Sequence, residues 1–166
     1  IYLNAVVAVE DKRFYKHPGI DAIAIGRAIK NNIHARQLIE GGSTITQQLL
    51  KNNVFEGWTT EDSSQRIERK LQEQYLAVQL EKKVSKDWIM ENYLNTINLG
   101  QNTLGVQAAS RRYFGKDVSE LTLSECAVIA GITQNPSKYN PISHPEDNAA
   151  RREKVLLNMK EQGYID

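Results

Sequence analysis

Apolar positions recur at helical spacing along nearly the whole chain, and no stretch shows convincing two-residue alternation of a half-buried strand. Ile20, Ile23, Ala24, Ala28, Ile29 and Ile33 predict a helix with one apolar face. Gly41-Gly42 then breaks the chain. Ser43-Thr44 offers an N-cap for a helix from Ile45 to roughly Lys51, and Thr44 with Gln47 has the spacing of a capping box. Residues 52–64 are polar and aperiodic apart from Val54, Phe55 and Trp58, and predict a long loop. Further helices are expected from about Ser64 to Lys83, from Ser85 through Leu94, from Val106 to Tyr113, from Leu121 to about Thr133 and from Glu146 to Gln162. Turn signals separate them at Leu99–Gly105, Asn135-Pro136 and Asn140-Pro141. The pattern therefore predicts one mainly α domain without repeats, low-complexity tracts or an internal boundary.

Composition narrows the picture. A chain of 166 residues can bury a proper core. Its formal charge of +1, from 21 basic and 20 acidic residues, argues against a nucleic-acid binder that relies on an overall positive field. The single cysteine, Cys126, excludes an internal disulfide framework and a multi-cysteine zinc site, and its apolar neighbours mark a buried, inert thiol. No run approaches the roughly 20 apolar residues of a bilayer span, and no signal peptide is recognisable. The start at Ile1, inside an element already under way, reads as a piece of a longer protein.

Three segments carry chemistry. In the first, the apolar run from Ala5 to Val9 ends at Glu10-Asp11, followed by Phe14-Tyr15 and by His17 closed with Pro18-Gly19. A general base aimed into a cleft would have this surrounding, with Glu10 one plausible base among several acidic residues, while Glu10-Asp11 alone would also serve as a capping pair. In the second, Gly41 to Lys51, a glycine-flanked helix start offers backbone N–H groups and a positive dipole end to a phosphate, with Gln48 and Lys51 on one face. It is not a P-loop, because the GxxxxGK[ST] pattern is absent. The third is the helix from Gln65 to Val78. Ile67, Leu71, Tyr75 and Val78 share one side, and Arg66, Arg69, Lys70 and Glu73 gather on the other. That charged side reads either as a solvated face, with pairs worth about 0.2–0.5 kcal/mol, or as an anion clamp in which Glu73 positions the cations or binds a metal.

In this order the segments resemble the bacterial peptidoglycan glycosyltransferases of family 51, found in class A penicillin-binding proteins and monofunctional relatives. The pattern Glu-Asp-x-x-Phe-x-x-His-x-Gly is met by Glu10, Asp11, Phe14, His17 and Gly19. Gly-Gly-Ser-Thr-Ile-Thr-Gln-Gln stands unbroken at Gly41 to Gln48, and Arg-Lys-x-x-Glu is Arg69, Lys70 and Glu73, continuing into Ala77, Leu80 and Glu81. A fourth stretch runs through Glu91, Tyr93, Leu94, Asn95 and Gly100 to Tyr113-Phe114-Gly115-Lys116. Two positions depart from the pattern. Gln65 stands where many members carry arginine, with Arg66 adjacent, and the turn Gln101–Leu104 lacks the family's usual glycine and aromatic.

The resemblance implies a lysozyme-like, mainly α fold with a larger globular lobe and a smaller membrane-facing lobe. It implies polymerisation of lipid II into β-1,4 glycan strands with inversion and release of undecaprenyl pyrophosphate. Glu10 would be the base; Lys51, Arg69, Lys70 and the helix start at Ser43-Thr44, with Gln47, Gln48 and Arg66, would meet the sugar pyrophosphate. Glu73 would orient those cations or share a divalent ion, Mg or Mn, with the pyrophosphate, and no organic cofactor is implied. Asp11, Phe14 and His17 would order the cleft wall. Arg27 and residues 52–64 would lie near the membrane, where Val54, Phe55 and Trp58 suit a lipid interface. The implied partners are lipid II, the growing glycan strand and the membrane surface, with no nucleic acid. The implied setting is the outer face of the bacterial cytoplasmic membrane, in a parent anchored by a segment outside this chain, with a transpeptidase domain in bifunctional members. A strand-cleaving muramidase and a catalytically silent cationic module are the rival readings.

Overall fold

Capping chemistry sets several helix starts. Thr44, Asp62 and Thr122 each accept from a backbone N–H three residues on, while the Gln or Glu at that third position reaches back to the cap's own N–H. Asp21 caps a fourth helix by accepting from Ile23 and Ala24. The computed structural model describes residues 1–36 and 41–166. Among them lie eight α-helices: α1 (Tyr2–Glu10), α2 (Ala22–Ala35), α3 (Ile45–Val54), α4 (Ser63–Glu81), α5 (Lys86–Thr96), α6 (Val106–Phe114), α7 (Leu123–Ile132) and α8 (Pro145–Glu161). Short 3₁₀ turns occupy Trp58–Thr60 and Val118–Glu120, and one isolated bridge joins Asn98 to Leu104. The mainly α expectation holds.

The helices divide into two compact units. One comprises Ile1–Lys12 with Leu94–Asp166, the other Arg13–Tyr93. In the first, α1, α7 and α8 pack on one another. Helix α1 buries Tyr2, Ala5, Val6, Val7 and Ala8, and α7 buries Cys126, Ala127, Ile129, Ala130, Gly131 and Ile132. Helices covered this far read as continuous apolar runs rather than stripes. Val155 and Met159 of α8 complete that core. Gly105 opens α6 with φ of 84°, and a Cβ there would stand 2.6 Å from the Asn95 carbonyl oxygen, so the turn before α6 requires glycine.

In the second unit α3 packs along α4. Gly19, with φ of 107°, lets the turn after His17 press on α4; a Cβ there would meet Ala77 backbone atoms at 2.6 Å. Two expectations need correction here, for residues 52–64 and for the charged side of α4. The stretch 52–64 is not one long loop, because α3 continues to Val54, a 3₁₀ turn follows and the Asp62–Gln65 capping box starts α4 at Ser63. Helix α2 is present with its expected apolar face, of which Ala28 is buried and Ile23, Ile29 and Ile33 are exposed. On α4 the apolar side is the outer one: Ile67, Leu71 and Tyr75 are 65%, 64% and 65% exposed, while Arg69 and Glu73 are 9% and 1% exposed. The solvated-face reading of those charges is therefore overturned.

Candidate active site

Glu10 is the last residue of α1, and Asp11 then leaves the helix at φ −155°, its N–H still bonded to the Val7 carbonyl. Within the first unit the Glu10 carboxylate is nearly covered. Its Oε1 accepts from the Thr133 hydroxyl at 2.7 Å and stands 3.5 Å from an Arg151 guanidinium nitrogen. Neither Thr133 nor Arg151 was singled out by the sequence. They reach Glu10 across separations of 123 and 141 residues, which no local pattern encodes. The adjacent Arg151-Arg152 pair in α8 was the available signal.

The second unit holds the charged cluster. Glu73 accepts from Arg69 Nη1 at 2.6 Å, from Lys70 Nζ at 2.7 Å and from the Gln47 amide at 3.3 Å. Lys70 Nζ also donates to Ser43 Oγ at 2.6 Å, joining α4 to the start of α3. Arg69 Nε lies 2.8 Å from both oxygens of Glu61, a partner the sequence reading missed. Trp58 forms a ring platform, with Lys51 Nζ 4.3 Å from its centroid and the Arg69 guanidinium carbon at 6.0 Å. It is half-buried and supports these two cations. Val54 is exposed and Phe55 half-buried.

Arg66, expected in the same cluster, is exposed on α4, and Gln65 is occupied as the reciprocal partner of the Asp62 cap at 3.0 and 2.9 Å. Gln48 accepts from the Tyr93 hydroxyl at 3.0 Å. Arg27 is half-buried on α2. The helix start offers fewer donors than its sequence suggested, since the N–H groups of Thr44 and Gln47 close the capping box at 3.1 Å each. The Thr44 hydroxyl instead donates to the Gly19 carbonyl at 2.7 Å, tying the first motif to the second.

The His17 turn is secured from beneath. Lys86 Nζ donates to the His17 carbonyl at 2.7 Å and to Glu81 at 2.8 Å, and sits 4.5 Å over the Phe14 ring. Thr46 donates to the same Glu81 oxygen at 2.5 Å, and the His17 ring Nδ1 accepts from the Gly19 N–H at 3.1 Å. Phe14 and His17 are buried edge to face, with centroids 6.2 Å apart.

Glu73 does not fit a divalent cation held by the protein. Its oxygens already bind two cationic side chains, which would repel a metal ion and occupy its ligand. Among the described residues no three His, Cys, Asp or Glu side chains gather as a metal site.

A family model described as Transglycosylase matches residues 1–160. The chain belongs to the transglycosylase family. Penicillin-binding protein 1F of Bacillus subtilis is 50% identical over 162 residues, covering 98% of this chain and 22% of the relative. Penicillin-binding protein 1A of Aquifex aeolicus is 48% identical over 163 residues, again 98% of this chain and 22% of the relative. The crystal structure of penicillin-binding protein 1A from Haemophilus influenzae matches with a TM-score of 0.49 and 35% identity, over 74% of this chain and 14% of that one. This transglycosylase chain thus spans about a fifth of the length of the curated relatives it matches.

Proposed function

We propose that this transglycosylase chain polymerises lipid II into glycan strands in bacterial cell-wall synthesis. The observation that carries the reading is the Arg69–Lys70–Glu73 cluster, buried at Arg69 and Glu73, part-exposed at Lys70 and joined to Ser43: a cation pair fixed at a helix start, as a pyrophosphate leaving group requires. Glu10 takes the proton from the acceptor 4-hydroxyl as its oxygen bonds to the donor anomeric carbon. The bond from that carbon to the pyrophosphate oxygen breaks with inversion, and undecaprenyl pyrophosphate departs with the electron pair. Lys51, Arg69 and Lys70 stabilise the charge it gains. Glu73 holds the two cations of α4 in place, the buried Thr44 and Gln47 fix the start of α3 beneath them instead of meeting substrate as expected, and Arg27, Gln48 and the more exposed Arg66 complete the substrate surface. Asp11, Phe14 and His17 order the segment that follows Glu10.

The lipid tail of such a substrate brings the reaction to a membrane surface, at the outer face of the cytoplasmic membrane. Exposed Ile23, Ile29 and Ile33 on α2 and Ile67, Leu71 and Tyr75 on α4 support lipid contact. Among the described residues no helix is long and apolar enough to cross a membrane. The fraction of each penicillin-binding relative that the chain spans supports a parent with a further, transpeptidase domain.

Purified protein given lipid II in detergent is expected to yield glycan strands and undecaprenyl pyrophosphate. Glu10→Gln should lower that rate by about 10²–10⁴, the usual contribution of a positioned base, while keeping the helical circular dichroism signal. Cleavage of ready-made glycan without polymerisation would assign the chain to a strand-cleaving reaction instead.

A further inference from the structure

We propose that Thr133 and Arg151 are positioning residues for Glu10, holding its carboxylate at the reach and orientation that proton abstraction needs. The inference rests on the assignment of Glu10 as base. A glutamate at the very end of a helix has several rotamers available, and a base is effective only in the one that meets its proton. Here three separate elements meet on that carboxylate. Thr133 is the C-cap of α7, and its hydroxyl lies 2.7 Å from Glu10 Oε1 and 2.8 Å from the Ala130 carbonyl. One proton cannot serve both acceptors fully, and the charged one is the stronger.

Arg151 arrives from α8 along a fixed path. Its stem passes over Gly131 of α7, where a Cβ would stand 3.1 Å from Arg151 Cγ. Its guanidinium carbon lies 5.6 Å from the Tyr139 ring centroid, and one terminal nitrogen stands 3.5 Å from Glu10 Oε1. Its Nε is buried without a partner. Folds rarely leave a buried donor unsatisfied, and such groups gather where another requirement dictates the placement. The 3.5 Å separation is at the long limit of a hydrogen bond, as catalytic contacts often are before substrate tightens them.

The test is steady-state polymerisation of lipid II by Thr133→Val, Thr133→Ser, Arg151→Met and Arg151→Lys, beside Glu10→Gln and melting curves for each. Thr133→Val, which keeps the shape and loses the hydroxyl, should lower kcat by about tenfold to a hundredfold, as loss of a hydrogen bond to a charged group does. KM should stay within about twofold, because the contact is with the base and not with substrate. Thr133→Ser restores the hydroxyl and should restore kcat, which a purely structural role of the side chain would not give. Arg151→Met should lose kcat and Arg151→Lys recover part of it; if Arg151→Met fails to fold, the Thr133 pair decides. Wild-type kcat in Thr133→Val, equal loss in Thr133→Ser, or loss confined to KM overturns the inference. An active Glu10→Gln overturns the base assignment itself, and so is told apart from failure of the inference alone.

Discussion

At the residue scale the decisive finding is how deeply Glu73 is buried. A carboxylate 1% exposed survives in an interior only when opposite charges and hydrogen bonds replace its water, and Arg69, Lys70 and Gln47 supply them. Taking away Glu73 removes one partner from Arg69, which keeps Glu61, and from the part-exposed Lys70, which keeps Ser43, so the cost lies below the roughly 3–5 kcal/mol of a wholly unpaired buried charge. Glu73→Gln is therefore expected to lower the melting temperature measurably and to reduce polymerisation severely, since both cations lose the anchor that fixes them. Unchanged stability and turnover in that variant would mean that the cluster is not assembled as described. The spacing of Arg69, Lys70 and Glu73 was legible in the sequence, but the side of α4 they occupy was not. A helical wheel assigns Ile67, Leu71 and Tyr75 to the interior; the partners that reverse the assignment, Ser43, Gln47 and Glu61, come from other segments. Thr133 and Arg151 escaped for the same reason.

At the element scale the helix starts respond to acid. Burial pushes the Asp21 carboxyl up, but the Ala24 and Ile23 N–H groups, the Arg13 guanidinium and His17 outweigh it and hold the group below its ordinary 3.8. Glu125, at the third position of α7, is lowered from 4.5 to about 2, first by the Lys116 hydrogen bond and then by the Thr122 cap. A carboxyl whose folded pKa lies below its unfolded value adds stability that is complete above the unfolded pKa and is lost as pH falls through the folded one. The stability from Asp21 and Glu125 should thus be intact above about pH 4.5 and decline toward pH 2. Melting temperatures across that window should fall less steeply for Asp21→Asn and Glu125→Gln than for the native chain; parallel curves would remove these groups as the cause. The caps at Thr44 and Thr122 follow a pattern readable in one dimension. The helix that the equivalent box at Asp62–Gln65 starts was expected from about Ser64, but the box itself lay at the edge of a polar, aperiodic stretch where no apolar position marked the cap.

For the whole molecule, net charge and exposed apolar surface make separate predictions about membranes. A chain of formal charge +1 has little overall attraction for anionic lipid, and what it has is screened within about 10 Å at 0.1 M salt. Exposed side chains on α2 and α4 offer the other route, since burying Ile67, Leu71 and Tyr75 in an interface removes apolar area from water whatever the salt. Replacing all three with serine forfeits on the order of 3 kcal/mol of transfer free energy if the side chains are half immersed, about a hundredfold in partitioning. Because these positions face solvent, the same replacement should leave the melting temperature near its native value. Sedimentation with phosphatidylglycerol vesicles should therefore show binding that persists at 0.5 M salt and collapses in Ile67→Ser/Leu71→Ser/Tyr75→Ser. Binding abolished by salt would point to the basic side chains instead. Equal binding by the triple variant would remove α4 from the lipid contact and leave the exposed isoleucines of α2 as the surface to test.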